Sequence, residues 1–168
     1  MEFINLAPPQ KPVLAIDNYE AGRLFEEYIK NLFNESSFQL KNWYKSEKLI
    51  DKIWRDNLSN PDLEFDLFGK GKYRFAVECK WRKEFKSGII KWAKSHQIKA
   101  YKDFSKSTLM PVFIAIGVGG EPSAPERLFV MPLHILSKNY YVLESNLLPY
   151  TRKPTRRFYY DYQQMSLF

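Results

Sequence analysis

Cysteine is nearly absent: Cys79 is the one example in 168 residues. An internal disulfide is thereby excluded, and so is a zinc site built from several thiolates. No apolar run reaches the roughly 18 residues that a membrane-spanning helix requires. The opening stretch, Met1-Glu2-Phe3-Ile4-Asn5-Leu6-Ala7-Pro8-Pro9, lacks the basic-then-apolar layout of a secretion signal. Internal repeats, low-complexity blocks, a glycine-rich phosphate loop and a recognisable DNA-reading helix are missing as well. These absences lead us to expect a reduced, cytoplasmic protein with no membrane partner and no legible sequence specificity.

What is present favours one folded domain. Hydrophobic residues make up 45% and aromatics 17% of the chain, enough for a sizeable core at this length. Lys and Arg number 26 against 19 Asp and Glu, giving a net charge of +7. That balance favours phosphate-bearing or acidic partners.

The pattern along the chain predicts an extended arm over 1–15, where Pro8, Pro9 and Pro12 cluster. An amphipathic helix follows over 21–33, with Ala21, Leu24, Phe25, Tyr28, Ile29, Leu32 and Phe33 filling one half of the wheel. A strand over 38–44 and a short helix over 48–58 come next. Alternation predicts two strands, 63–68 and 73–81, around the turn Gly69-Lys70-Gly71. A second helix is expected over 89–105. Residues 110–118 read as a strand apolar on both faces. Gly119, Gly120, Pro122 and Pro125 read as a loop, and 128–133 as a further strand. This series implies a single α/β domain, a mixed sheet flanked by helices, with the core over 20–118. Residues 119–168 complete the sheet and extend it.

The hairpin concentrates the chemistry. Its apolar residues, Leu63, Phe65 and Leu67 against Phe75, Val77 and Cys79, are odd-numbered in both strands. Directly opposed residues share a face, so the acids of the first strand lie on the face of Glu78 and Lys80. A three-residue turn sets Asp62 opposite Glu78, and a five-residue turn sets it opposite Lys80. Asp66 falls opposite Arg74 or Ala76 instead, which favours Asp62 as the first acid. Two carboxylates that close repel each other unless a cation lies between them. Oxygen ligands of this kind suit Mg²⁺, with Mn²⁺ as a substitute, completed by water and substrate phosphate. A neighbouring lysine can hold the attacking water or steady developing charge. The competing reading is a solvated charged face.

Pro61-Asp62 followed by Glu78-Cys79-Lys80 resembles the PD-(D/E)XK motif of the restriction-endonuclease-like nucleases. The resemblance implies their three-layer core, a helix, a hairpin-centred sheet and a crossover helix. It also implies a Mg²⁺-dependent DNA endonuclease with Asp62, Glu78 and Lys80 at its centre. Many members carry a metal-binding glutamate on the first core helix, and Gly22-Arg23-Leu24-Phe25-Glu26 is similar. Glu26 falls at about 200° on the wheel, at the edge of the apolar half, whereas Glu27 points to the polar side. Resolvase-like and Mrr-like branches place a glutamine on the later helix, and Gln97-x-x-x-Tyr101 resembles that element. Gln97 falls inside the apolar stripe, so a structural glutamine is the alternative; His96 beside it reads as structural.

From Lys70 to Lys106 twelve basic residues face only Glu78, Glu84 and Asp103. Phosphate contacts along such a surface would supply most of the affinity for DNA, with Arg82, Lys83, Lys94 and Lys99 as candidates. RNA is compatible with the same charge. The later stretch Arg152-Lys153-Pro154-Thr155-Arg156-Arg157-Phe158-Tyr159-Tyr160 mixes charge with rings, but fits a packed C-terminal segment equally well. Family members often act as homodimers, although no interface signature is visible here. Two other functions stay open: a nucleic-acid-binding module that does not cut, and the nuclease subunit of a larger defence or mobile-element complex. Intact Asp62, Glu78 and Lys80 argue against the first.

Overall fold

The computed structural model describes residues 16–44, 60–68 and 73–168. The expected arm over 1–15, the helix over 48–58 and the turn at 69–71 lie outside the described residues. Among the described residues no helix is long and apolar enough to cross a membrane.

Helix α1 (Asn18–Asn31) begins where the Asp17 carboxylate accepts the Glu20 N–H at 2.7 Å. Such a cap satisfies one of the free donors of the first turn and starts the helix a little ahead of its apolar stripe. Strands β1 (Phe38–Trp43), β2 (Leu63–Leu67) and β3 (Arg74–Arg82) form an antiparallel meander. Leu63 faces Val77, Phe65 faces Phe75 and Asp66 faces Arg74, the register expected of the shorter turn.

After β3 the structure departs from the predicted long helix. Residues Ile89–Lys91 form a short strand, β4, and helix α2 starts only at Ser95 and runs to Thr108. Ser87 and Gly88 both adopt positive φ, 50° and 72°, and make the tight bend that lets Lys86 bridge to Ile89. The β-branched pair Ile89-Ile90 then pairs with a distant strand, β7 (Tyr141–Leu143). Trp92 and Ala93 are buried between the two elements, in phase with the helix behind them, which is why periodicity alone merged them.

Helix α2 crosses over to β5 (Val112–Glu121), which lies parallel to β3. Strand β6 (Ala124–Pro132) returns antiparallel to β5. The expected 119–125 loop is therefore mostly strand, and the turn itself is Pro122-Ser123. Gly119 and Gly120 have φ of 74° and 60°, values that favour glycine, and Gly120 pairs with Pro125. Short helices α3 (Leu133–Leu136) and α4 (Glu144–Leu147) flank β7, and β8 (Thr151–Arg152) adds to β6. The sheet order is β1-β2-β3-β5-β6-β8, antiparallel except between β3 and β5.

Two apolar layers sandwich this sheet. Phe25 and Ile29 of α1 pack with Phe75, Val77, Phe113 and Val130 on one face. Ile98, Tyr101 and Phe104 of α2 pack with Ala76, Ile114, Ile116 and Met131 on the other. Strand β5 alternates between the two layers and is buried on both, as a central strand must be. The C-terminal segment belongs to the α1 layer: Phe158, Tyr160 and Leu167 are buried there, the last two in the ribbon of β9 (Tyr160–Asp161) and β10 (Ser166–Leu167). The Tyr28 hydroxyl ties it down by donating to the Pro154 carbonyl at 2.6 Å.

Candidate active site

Strand β2 begins at Leu63, opposite Val77, so β3 runs on from Glu78 without that neighbour. Backbone donors on the freed edge need other partners. Asp62 supplies one: its Oδ2 accepts the Cys79 N–H at 2.8 Å, while its own carbonyl accepts the Tyr44 N–H at 2.8 Å. The end of the β2–β3 ladder thus holds Asp62 beside Glu78, both lining a cleft of about 580 Å³.

Glu26, Asp62, Glu78, Lys80 and Gln97 all line this cleft. Glu78 is almost wholly buried, and its Oε1 accepts both the Lys80 ammonium and the Tyr101 hydroxyl, the latter at 2.5 Å. Glu26 enters from α1, where its Oε2 accepts the Trp43 indole N–H at 2.8 Å. Its neighbour Glu27 turns away and pairs with Arg23 at 3.2 Å. Gln97 sits near the start of α2, and its Oε1 accepts the Lys94 N–H at 2.9 Å, so its carbonyl end caps the helix. Asp66 is outside the cleft, tied to Arg74 at 2.6 Å and close to Lys41.

Three acids in one cleft leave their mark on ionisation. Burial, followed by repulsion from Glu78 and Glu26, pushes the Asp62 carboxyl well above the usual carboxylate range. Burial also pushes Glu26 up to about 6; the Trp43 N–H opposes this and the Glu78 charge adds to it. For Lys80, burial works against the charge, yet Glu78 and Asp62 outweigh it and the ammonium is held more firmly than usual. Tyr101 is raised by burial and then by Glu78, so it remains a hydroxyl that donates. Among the described residues no three His, Cys, Asp or Glu side chains are drawn tightly enough together to cage an ion unaided.

The expected DNA contacts separate into two kinds. Lys83 is exposed on the rim of the cleft, and Lys94 is exposed at the start of α2. Lys99 is exposed but paired with Asp103 at 2.6 Å. Arg82 lines the cleft with its guanidinium already engaged, donating to the carbonyls of Trp81, Lys91 and Trp92 at 2.8, 2.7 and 3.0 Å. His96 is exposed. Two cleft-ordering roles, that of Tyr101 toward Glu78 and that of Trp43 toward Glu26, were not assigned from the sequence. Tyr101 carried a signal, since it lies one helical turn after Gln97 on the same face. Trp43 carried none, because its pairing with Glu26 depends on β1 packing beside α1.

No family model matches the sequence, and no curated protein matches it significantly. Among solved structures, the chain is similar to Archaeoglobus fulgidus Hjc, a Holliday junction resolvase from an archaeal hyperthermophile. The TM-score is 0.53 at 15% identity, over 78% of this chain and 93% of that one. The likeness establishes the fold.

Proposed function

From a restriction-endonuclease-like fold that gathers three acids and a lysine in one cleft, we propose that this chain is a metal-dependent DNA endonuclease. The carrying observation is the convergence of Glu26, Asp62, Glu78 and Lys80 on the cleft where β3 outruns β2. Likeness to a protein named as a Holliday junction resolvase supports a DNA substrate.

The donor set fits a hard divalent cation. Its oxygens come from buried carboxylates: burial first, and then the charge of neighbouring acids, raises the proton affinity of Asp62 and Glu26. Mg²⁺ typically takes one or two carboxylates and completes its shell with water and substrate phosphate, so an open arrangement suffices. Asp62 and Glu78 would hold it, with Glu26 completing the set. When bound, the cation would supply Lewis-acid polarisation of the phosphate and lower the pKa of a water. Asp62 is kept in place by the Cys79 N–H, and Glu78 by the Tyr101 hydroxyl. Lys80, an ammonium stabilised by the same acids, would orient the attacking water and steady charge building on the phosphate. Gln97, with its carbonyl committed to the helix cap, would offer its amide N–H groups to the cleft.

The test is a Mg²⁺ or Mn²⁺ titration with supercoiled, linear and branched DNA, run on unmodified protein and on Lys80→Met. Cleavage should require the metal. Met keeps the length of the lysine stem but not the charge, so cleavage should fall about 10²–10³-fold, as for loss of one electrostatic contact. Lys80→Arg should rescue poorly, because its planar fork differs from a compact ammonium. Absence of metal-dependent cutting on every DNA form would favour a binding module. Full-rate cutting by Lys80→Met would remove Lys80 from the mechanism.

A further inference from the structure

Strands β4 and β7 form a two-stranded ribbon beside the cleft, and its outer face is unusual. Ile90 and Val142 point inward and are buried. The opposite face carries the pairs Ile89–Leu143 and Lys91–Tyr141, with Tyr140 next to them. Tyr140 and Tyr141 are 45% and 52% exposed, and Ile89 and Leu143 are 38% and 48% exposed. The two rings lie 5.0 Å apart at 55°, and the Lys91 ammonium sits over both, 5.7 and 5.6 Å from their centres. Glu144, which follows β7 at the Ile89–Leu143 end of the ribbon, is paired with Arg127 at 2.5 Å.

The ribbon is joined rigidly to the cleft. Arg82, a cleft residue, clamps the Lys91 and Trp92 carbonyls, and the Trp92 N–H and indole N–H donate to Tyr140 and Asn139 carbonyls at 3.0 and 2.7 Å. A side chain's length therefore separates the end of the acid-bearing strand from the backbone of the exposed ribbon. Exposed tyrosines interleaved with lysine are the composition that stacks unpaired bases while holding their phosphates. An apolar protein partner would have to bury the Lys91 charge, which disfavours it.

We propose that the outer face of the β4–β7 ribbon is a stacking platform for unpaired nucleotides of the DNA held in the cleft. This rests on the endonuclease reading and narrows its substrate class to DNA with a gap, flap or other single-stranded element. Tyr140 and Tyr141 take the bases, Lys91 takes the adjoining phosphate, and Ile89 and Leu143 cover the sugar edges.

The test compares the full chain with Tyr140→Ala/Tyr141→Ala and Tyr140→Phe/Tyr141→Phe. The probes are a blunt duplex and the same duplex carrying a short gap that contains 2-aminopurine. The unmodified protein should bind the gapped probe more tightly and change its fluorescence. The Ala pair should lose that preference, about 10-fold or more in affinity for the gapped probe. Its affinity for the blunt duplex should hold, and the Phe pair, which keeps the rings, should behave as unmodified. Equal binding of the gapped probe by the Ala pair and the unmodified protein would overturn the platform and leave the endonuclease reading standing. So would a shift from dimer to monomer in the Ala pair with no change in probe preference, since the face would then cover a second copy. No binding of either probe by the unmodified protein would overturn both.

Discussion

Glu26 is a residue whose environment opposes its charge. Its carboxyl lies at about 6 in the folded protein against 4.5 in the unfolded chain, through burial and the nearby Glu78, against the Trp43 donor. Between these values the folded state keeps a proton that the unfolded state has released, so stability falls as pH rises through the window. Below 4.5 the penalty is absent, and above about 6 it is complete, at no more than about 2 kcal/mol. Glu26→Gln keeps an acceptor for the Trp43 N–H without the charge. It should therefore raise the melting temperature at pH 8 and leave it nearly unchanged at pH 4. Thermal denaturation at the two pH values decides this, and an equal shift at both would mean that the charge is not what burial opposes. Asp62 shows how far such assignments can be made in advance. Parity along two strands puts it on one face with Asp66, and the register set by the turn length separates the two, because it places Asp66 level with Arg74 and away from Glu78. The Trp43 and Tyr101 partners depend on which elements meet in space, so the sequence held no direct sign of the first and only a spacing for the second.

At the scale of elements, α1 must lie close on the sheet to deliver Glu26. Gly117 of β5 permits it: a Cβ there would stand 2.4 Å from Phe25 Cε2, in a ring that is fully buried and has nowhere to go. Gly117→Ala should therefore lift α1 and cost about 1–3 kcal/mol, as overpacking does in tight cores. Phe25→Leu in the same chain should recover part of that loss, and chemical denaturation of the single and double variants measures it. Additive destabilisation would mean that the two residues do not meet. The same packing explains what was legible. Helix α1 and the hairpin have periods that name their apolar faces, β5 has the unbroken apolar run of a central strand, and all appear within a few residues of their expected bounds. Strand β4 was hidden because its partner β7 is some fifty residues downstream, while Trp92 and Ala93 continue the apolar phase of α2. The β5–β6 turn was hidden for the opposite reason: glycines and prolines that ordinarily mark a loop here carry the strands to a two-residue turn.

For the whole molecule, the +7 charge and the acidic cleft pull in opposite directions on a polyanion. Binding should be dominated by phosphate contacts that release counter-ions, so affinity should fall linearly with salt on logarithmic axes. Exposed Lys83 and Lys94 are free to contribute to that slope, and each Ala variant should reduce its magnitude by about 0.9. Lys99 should contribute less while Asp103 holds it. Arg82 is different: its removal strips three backbone carbonyls of their donor, so Arg82→Ala should lower stability as well as binding. Glu78 gives the sharpest separation of binding from chemistry. Glu78→Gln keeps an acceptor for the Tyr101 hydroxyl but removes a negative charge from beside the path of the phosphates. DNA affinity should stay level or rise, the salt slope should not change, and metal-dependent cleavage should collapse. Fluorescence anisotropy across a salt series, paired with a cleavage assay, gives all three quantities. Affinity that falls in step with cleavage would mean that Glu78 serves only to hold the fold, and the carboxylate would lose its assigned place beside the metal.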